Sequence, residues 1–297
     1  MNDVLVTGAS GFIGSNIAEF LTNEGIRVFT LQRTGSTSTP AAGIEPLSLA
    51  EISACPRQFD VVYHCAAAGV NPYERNAANL VAGNIELGLD LMRALRSADI
   101  GKLVNLGSCS QYARIERGSL MTEQHAQTTK SLYGQTKAVG EKMLLTLAAA
   151  RDISFVGLRL FGVYGPHEAP GRLIPDLVRG LSRGERVKMT QGPQVRDFLH
   201  VNDVISAIRS SPPEGIYNVC SAIPVTVREV AETVASVLNV SPDLLGFGDL
   251  PDRPGEEAWI VGDNSKLIRC TDWSPQFAER AGIALYVEHL LKGAGDR

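Results

Sequence analysis

Cysteine is scarce in this chain of 297 residues, and the few present form no pattern: Cys55, Cys65, Cys109, Cys220 and Cys270 are odd in number, scattered and without a CxxC pair. Neither a disulfide framework nor a zinc site is expected, and a reducing cytoplasmic setting fits. An excess of charge is missing too. Twenty-eight Lys and Arg against 32 Asp and Glu leave a formal net charge of −4, which offers no basic stripe to nucleic acid. No apolar stretch approaches the roughly 18 residues of a membrane span. Met1-Asn2-Asp3 lacks the cationic start of a signal peptide, and the apolar run behind it stops at Gly8. Internal repeats are absent; residues 34–40, rich in Ser and Thr, read as a flexible surface loop. Neither nucleic acid nor membrane is therefore an expected partner. What the chain does have, at 44% hydrophobic and 20% charged residues, is enough to bury a large core.

Val4-Leu5-Val6 is a short apolar run of β type ending in a glycine-rich turn, after which Phe12, Ile13, Ile17, Ala18 and Leu21 recur at helical spacing. Further strands are expected at 27–31, 61–63, 103–106 and 155–160, and helices over about 79–97 and 132–151. Strands alternating with helices imply a parallel sheet covered on both faces, because parallel neighbours need crossover connections. Beyond Tyr164-Gly165-Pro166 the rhythm loosens, with Pro170, Gly171, Pro175, Gly184, Gly192 and Pro193 in quick succession. The expected organisation is an α/β chain: a doubly wound domain over 1–165, rejoined by about 195–215, and a smaller α/β lobe over 166–297.

The turn Thr7-Gly8-Ala9-Ser10-Gly11-Phe12-Ile13-Gly14 puts glycines at Gly8, Gly11 and Gly14 between the first strand and its helix. There a pyrophosphate can approach the backbone and meet the helix N-terminus, the arrangement of a Rossmann dinucleotide fold. A glycine triplet alone serves tight turns for steric reasons; the strand before it and the amphipathic helix after it favour the binding reading. Folds specific for NAD often end the second strand in an acidic residue. Here Leu31-Gln32-Arg33 stands instead, and a guanidinium pairs with a 2′-phosphate, so Arg33 leans the cofactor toward NADP(H), with NAD(H) the alternative.

Tyr133 and Lys137 are four residues apart on one face of a helix. A phenol is a poor proton donor or acceptor at neutral pH, but an adjacent cation stabilises the phenolate. The same spacing also arises on ordinary surface helices. What favours chemistry is Leu106-Gly107-Ser108 upstream, at the end of a strand, where doubly wound folds bind ligands; Ser108 is placed to hydrogen-bond a reacting oxygen. Cys109 has no histidine base beside it and reads as a packing residue, and His64 reads as a hydrogen-bonded core histidine, with no second ligand at metal spacing.

With these residues assembled, the chain resembles the extended short-chain dehydrogenase/reductase family, and within it the nucleotide-sugar epimerases, dehydratases and reductases. The resemblance spans nearly the whole chain. It rests on the TGASGFIG turn, 60–67 (DVVYHCAA), Asn84, Ser108 four residues before Tyr112, Tyr133 to Lys137, Arg159 followed by Val163-Tyr164-Gly165-Pro166, 196–201 (RDFLHV) and Arg253-Pro254-Gly255. It implies a catalytic triad of Ser108, Tyr133 and Lys137; cofactor contacts from Gly8, Gly11, Phe12, Ile13, Gly14, Arg33, Ala66 and Lys137; and a substrate held by Ser108, with Arg196 and Arg253 on the diphosphate. It further implies a homodimer formed through the helices near 79–97 and 132–151. Two departures matter. Gly162 stands where the family often has an Asn that contacts substrate, and Cys109-Ser110 replace the Asp-Glu pair with which 4,6-dehydratases eliminate water. A reductase of a nucleotide-linked 4-keto-6-deoxyhexose, similar to those that make deoxysugars such as abequose, is the first expectation. A 4-epimerase is the alternative, and a cofactor-binding protein without turnover a third class, against which the intact triad argues.

Overall fold

A computed structural model of the chain describes residues 3–32, 41–54, 57–71, 75–95, 100–253, 255–277 and 279–295. Apolar strands alternate with helices through the first half: β1 (Asp3–Thr7), α1 (Phe12–Asn23), β2 (Arg27–Leu31), β3 (Ile44–Leu47), α2 (Leu49–Ala54), β4 (Phe59–His64), α3 (Ala77–Val81), α4 (Leu87–Ala94), β5 (Ile100–Ser108), α5 (Leu132–Ala149) and β6 (Ser154–Leu160). The second half runs through β7 (Gly162–Tyr164), α6 (Leu173–Leu181), β8 (Val187–Met189), β9 (Val195–His200), α7 (Val201–Arg209), β10 (Gly215–Val219), β11 (Pro224–Thr226), α8 (Val227–Val237), β12 (Leu245–Phe247), β13 (Trp259–Ile260), α9 (Ser265–Cys270) and α10 (Glu279–Gly295).

Two units result. The first comprises Met1–Ala113, Glu123–Leu160 and Ser211–Asn218. Its sheet has seven strands in the order β10-β6-β5-β4-β1-β2-β3, and β1 to β6 pair in parallel. Parallel strands are covered on both faces and so read as unbroken apolar runs. Leu5, Phe29, Val62, Leu103 and Phe155 from the strands pack with Leu91, Leu95 and Leu144 in one core. This is the expected Rossmann-like α/β fold, with strand order reversing between β1 and β4, the place where such sheets bind ligands.

The second unit comprises Arg114–Thr122, Phe161–Ser210 and Val219–Arg297. Here β9 pairs with β7 and β13 in parallel and with β11 antiparallel, while β8 and β12 form a two-stranded ribbon. Ile174, Leu177, Val230, Val234, Ile283 and Val287 pack α6, α8 and α10 around Tyr164 and Tyr286.

Two expectations are corrected. The segment that returns to the first unit is Ser211–Asn218, not 195–215: Val195–His200 is held in the second unit by its three strand partners, and β10 takes the sheet edge beside β6. The helix expected over 79–97 is interrupted. Between α3 and α4 the residues Ala82–Glu86 form a π-helical turn. The serine- and threonine-rich loop at 34–40 lies outside the described residues.

Candidate active site

The turn after β1 has no room for a side chain at Gly8 or Gly14. Gly8 adopts φ +70°, and a Cβ there would lie 2.8 Å from the backbone of Ala66; one on Gly14 would run into the carbonyl oxygen of Gly8. Gly11 donates its N–H to that same carbonyl at 2.9 Å. Helix α1 starts at Phe12 with no side-chain cap and no acidic residue in its first turn, so no carboxylate of its own first turn competes for its positive end. Thr7 Oγ1 accepts from the Ala66 N–H at 3.2 Å and lies 3.0 Å from His64 Nδ1, tying the ends of β1 and β4 together. A glycine-lined, uncapped helix N-terminus of this kind fits a dinucleotide pyrophosphate. Gly8, Gly11, Phe12, Ile13, Gly14 and Ala66 come together here. Arg33 lies outside the described residues.

Strand β5 and helix α5 meet beside this turn of the sheet. The Ser108 hydroxyl accepts from the Ser110 N–H at 3.2 Å, and the Ser108 N–H donates to Gln111 Oε1 at 2.7 Å, closing a capping box around the single 3-10 turn Cys109–Gln111. Ser131 caps α5 by accepting from the Gly134 N–H at 3.3 Å. The helix then approaches the turn so closely that a Cβ on Gly134 would overlap the Ser110 carbonyl oxygen. Tyr133, Lys137 and Glu141 follow one another at every fourth residue and are all buried. Lys137 Nζ donates to the Leu106 carbonyl at 2.7 Å, two residues before Ser108. Burial pushes the Lys137 ammonium down to about 8, against the opposing pull of Glu141. Ser108, Tyr133 and Lys137 are thus borne by two elements locked at Gly134 and at Leu106. Neighbouring His64 is neutral, pushed down to about 3 by burial and by Lys137, and desolvation pushes the Cys65 thiol up to about 12.

Two supports of this centre carry no signal of their role in the sequence. The π turn aims Asn84 so that its Oδ1 accepts from the Ala68 N–H at 2.9 Å and its Nδ2 donates to Thr136 Oγ1 at 3.0 Å, binding the loop after β4 to α5; π turns recur at such places. Behind β5, Nε and Nη2 of Arg159 both donate to the Glu141 carboxylate. Arg159 Nη1 donates to the Tyr112 hydroxyl at 2.9 Å, and that hydroxyl donates to Asn218 Oδ1 at 2.6 Å. Burial pushes the Tyr112 phenol up to about 12, so it stays a donor. Asn84, Tyr112 and Arg159 were visible as motif residues, without these roles; Glu141 was not singled out, although it continues the Tyr133–Lys137 spacing by one turn.

In the second unit, Arg196 on β9 donates to Glu256 Oε1 at 3.0 Å and to the Val195 carbonyl at 2.8 Å. Arg253 is exposed, and its carbonyl accepts from the Glu256 N–H at 3.2 Å, so Glu256 links the two arginine positions. Asp197 is buried and ties three segments, accepting from Ser221 N–H and Oγ, each at 2.7 Å, from Ala222 N–H at 2.9 Å and from Gly262 N–H at 3.2 Å. Gly162 has a steric reason: a Cβ there would lie 2.5 Å from the Asp197 carbonyl oxygen, so the family's asparagine does not fit this backbone. Among the described residues no group of three His, Cys, Asp or Glu is placed to hold a metal, and no helix is long and apolar enough to cross a membrane.

A doubly wound sheet with a glycine-lined first turn, and a serine, tyrosine and lysine carried by β5 and α5, define an extended short-chain dehydrogenase/reductase of the nucleotide-sugar group. The chain belongs to the NAD dependent epimerase/dehydratase family, whose pattern matches residues 4–220. CDP-abequose synthase of Salmonella typhimurium is 27% identical over 310 residues, which cover 97% of this chain and 97% of that protein. The structure of MoeE5 in complex with UDP-glucuronic acid and NAD superposes with a TM-score of 0.86 at 29% identity, covering 99% of this chain and 100% of that one. The UDP-glucose 4-epimerase of Thermus thermophilus in complex with NAD gives a TM-score of 0.84 at 28% identity, over 97% and 99% of the two chains.

Proposed function

We propose that this enzyme reduces C4 of a nucleotide-linked 4-keto-6-deoxyhexose, with Tyr133 as the proton donor. The observation that carries the reading is the locking of α5 onto the turn after Ser108, at Gly134 and through Lys137 Nζ on Leu106; it supports the reading of phenol, ammonium and hydroxyl as one set. Cys109-Ser110 in the place of an acid pair argues against elimination of water, and the likeness to CDP-abequose synthase over almost the full length of both chains supports a deoxysugar reductase.

The nicotinamide cofactor, once bound, supplies hydride to the sugar carbon. Gly8, Gly11 and Gly14 would leave room for its pyrophosphate, the N–H groups of Phe12 and Ile13 at the positive end of α1 would be its donors, and Ala66 after β4 would contribute main chain. Because the Ser108 oxygen already accepts from Ser110, its proton is the part left to donate to a carbonyl oxygen. Tyr133 gives its proton to that oxygen as charge develops, and Lys137 stabilises the resulting phenolate and binds the nicotinamide ribose. Arg196 and Arg253 are assigned the substrate's diphosphate. Cofactor preference leans to NADP(H) on Gln32-Arg33.

The test mixes purified protein with NADPH or NADH and a panel of nucleotide-linked 4-keto-6-deoxysugars and nucleotide hexoses. Loss of the reduced-nicotinamide absorbance with a keto sugar is expected; interconversion of two hexoses without net cofactor change would replace the reading by 4-epimerisation. Tyr133→Phe is expected to abolish turnover while retaining cofactor binding, and unchanged turnover in that variant would remove Tyr133 from the mechanism.

A further inference from the structure

The ring of Tyr133 is covered by a cation for which the reaction centre as described has no use. Arg75 lies two residues before α3, and its guanidinium carbon is 4.6 Å from the centroid of the Tyr133 ring. Nε of the same group donates to the Gly69 carbonyl at 2.8 Å, which fixes the plane of the guanidinium. Gly69 itself lies against the ring edge: a Cβ on it would sit 3.3 Å from Tyr133 Cδ2. The loop after β4 and the segment before α3 therefore hold one charged plane on one face of the phenol. An aromatic face attracts a cation through its quadrupole. The attraction grows when the phenol ionises, because an opposite charge nearby favours the charged form.

We propose that Arg75 is a positioning residue for Tyr133: the stacked guanidinium holds the ring in one orientation and favours its ionised form, so two cations, Arg75 and Lys137, set the proton affinity of the phenol. The two differ in kind. Lys137 is pushed down to about 8 by burial and loses its charge in mildly alkaline solution, whereas a guanidinium keeps its proton throughout. Arg75 sustains the effect where Lys137 gives it up. Among the described residues, the titratable groups that act on Lys137 are His64 and Cys65 at the end of β4, both neutral, and Glu141 on α5, which is committed to Arg159. The inference rests on Tyr133 being the proton-transfer residue.

Its test is spectroscopic and needs no turnover. The phenolate band is titrated by ultraviolet difference in protein saturated with the oxidised dinucleotide, and the Tyr133 signal is isolated by subtracting the matching Tyr133→Phe protein. Arg75 is exposed, so its variants are expected to fold. Arg75→Met keeps apolar bulk over the ring and is expected to raise the midpoint of Tyr133 ionisation by about half a pH unit or more. Arg75→Lys keeps the charge and is expected to raise it by less, with kcat falling more than KM changes in both. Coincident midpoints in the three proteins would overturn the proposal, as would a change confined to KM, which would make Arg75 a substrate contact instead. Intact turnover in Tyr133→Phe would sink the functional reading and the kcat effect expected from it, whereas coincident midpoints would sink the Arg75 contact itself, because the titration needs no substrate.

Discussion

Lys137 shows how a single buried charge serves reaction and stability in opposite senses. Its ammonium is buried on α5 with the Leu106 carbonyl as hydrogen-bond partner, and it is pushed down to about 8 from the usual lysine value of 10.5, by burial above all. A base whose folded pKa is depressed destabilises the folded state wherever it must be protonated. Below pH 8 both states carry the proton and the penalty, up to about 3 kcal/mol, is present in full. Between 8 and 10.5 the unfolded chain binds more protons than the folded one, so this group's contribution to stability rises with pH. Lys137→Met removes the penalty but leaves the Leu106 carbonyl without its donor, a loss of about 1–3 kcal/mol. The variant is therefore expected to be inactive yet as stable as the parent, or up to about 2 kcal/mol more stable, in urea unfolding at pH 7. Measured at pH 10, the parent should gain on the variant. A parent that instead loses ground to the variant as pH rises would contradict the buried-ammonium account.

At the scale of elements, the Glu141–Arg159 pair joins α5 to β6, while the parallel ladder sets the register of β6 on β5. Both side chains are buried, and removing one partner leaves an uncompensated charge, which typically costs about 3–5 kcal/mol. Arg159→Met is expected to lower the urea midpoint accordingly, whereas a double variant with Glu141→Gln should recover part of the loss; equal midpoints for single and double variants would show that the pair does not act as a unit. This network also marks what the sequence could disclose. Strands β1 and β5 were legible because burial on both faces makes Val4-Leu5-Val6 and 103–106 continuous apolar runs. The glycine turn and the Tyr133–Lys137 pair were legible because their partners are close in sequence. The π turn was not, since an i to i+5 pattern uses the same residues as an ordinary helix, and what distinguishes it is Asn84 bonding to Ala68 and Thr136, 16 and 52 positions away. Likewise Val195–His200 and Gly215–Val219 are both β-forming, and only long-range pairing assigns the second to the large sheet. Arg75 over Tyr133 joins residues too far apart in sequence for spacing to suggest it.

For the whole molecule, the expected homodimer remains a proposal, and the first unit supplies a reason to test it. Helix α5 buries Tyr133, Lys137, Glu141 and Leu144 toward the sheet, yet Leu132 and Val139 are 44% and 46% exposed, and Val81 on α3 is 36% exposed. Leu132 and Val139 are seven residues apart and share a helix face. Apolar side chains on adjoining helices are the material of a helix–helix interface, and a symmetric pairing would use each patch twice. A charge at the centre of such a patch is repeated on the partner, so Val139→Glu would place two carboxylates near the symmetry axis, where like charges and lost apolar burial act together. The expected outcome is a parent that sediments as a dimer and a Val139→Glu variant that sediments as a monomer at the same concentration. The variant should keep cofactor binding, because Val139 points away from the buried face that carries Tyr133 and Lys137. A parent that sediments as a monomer would remove the dimer, and a variant that remains dimeric would place the interface on another surface.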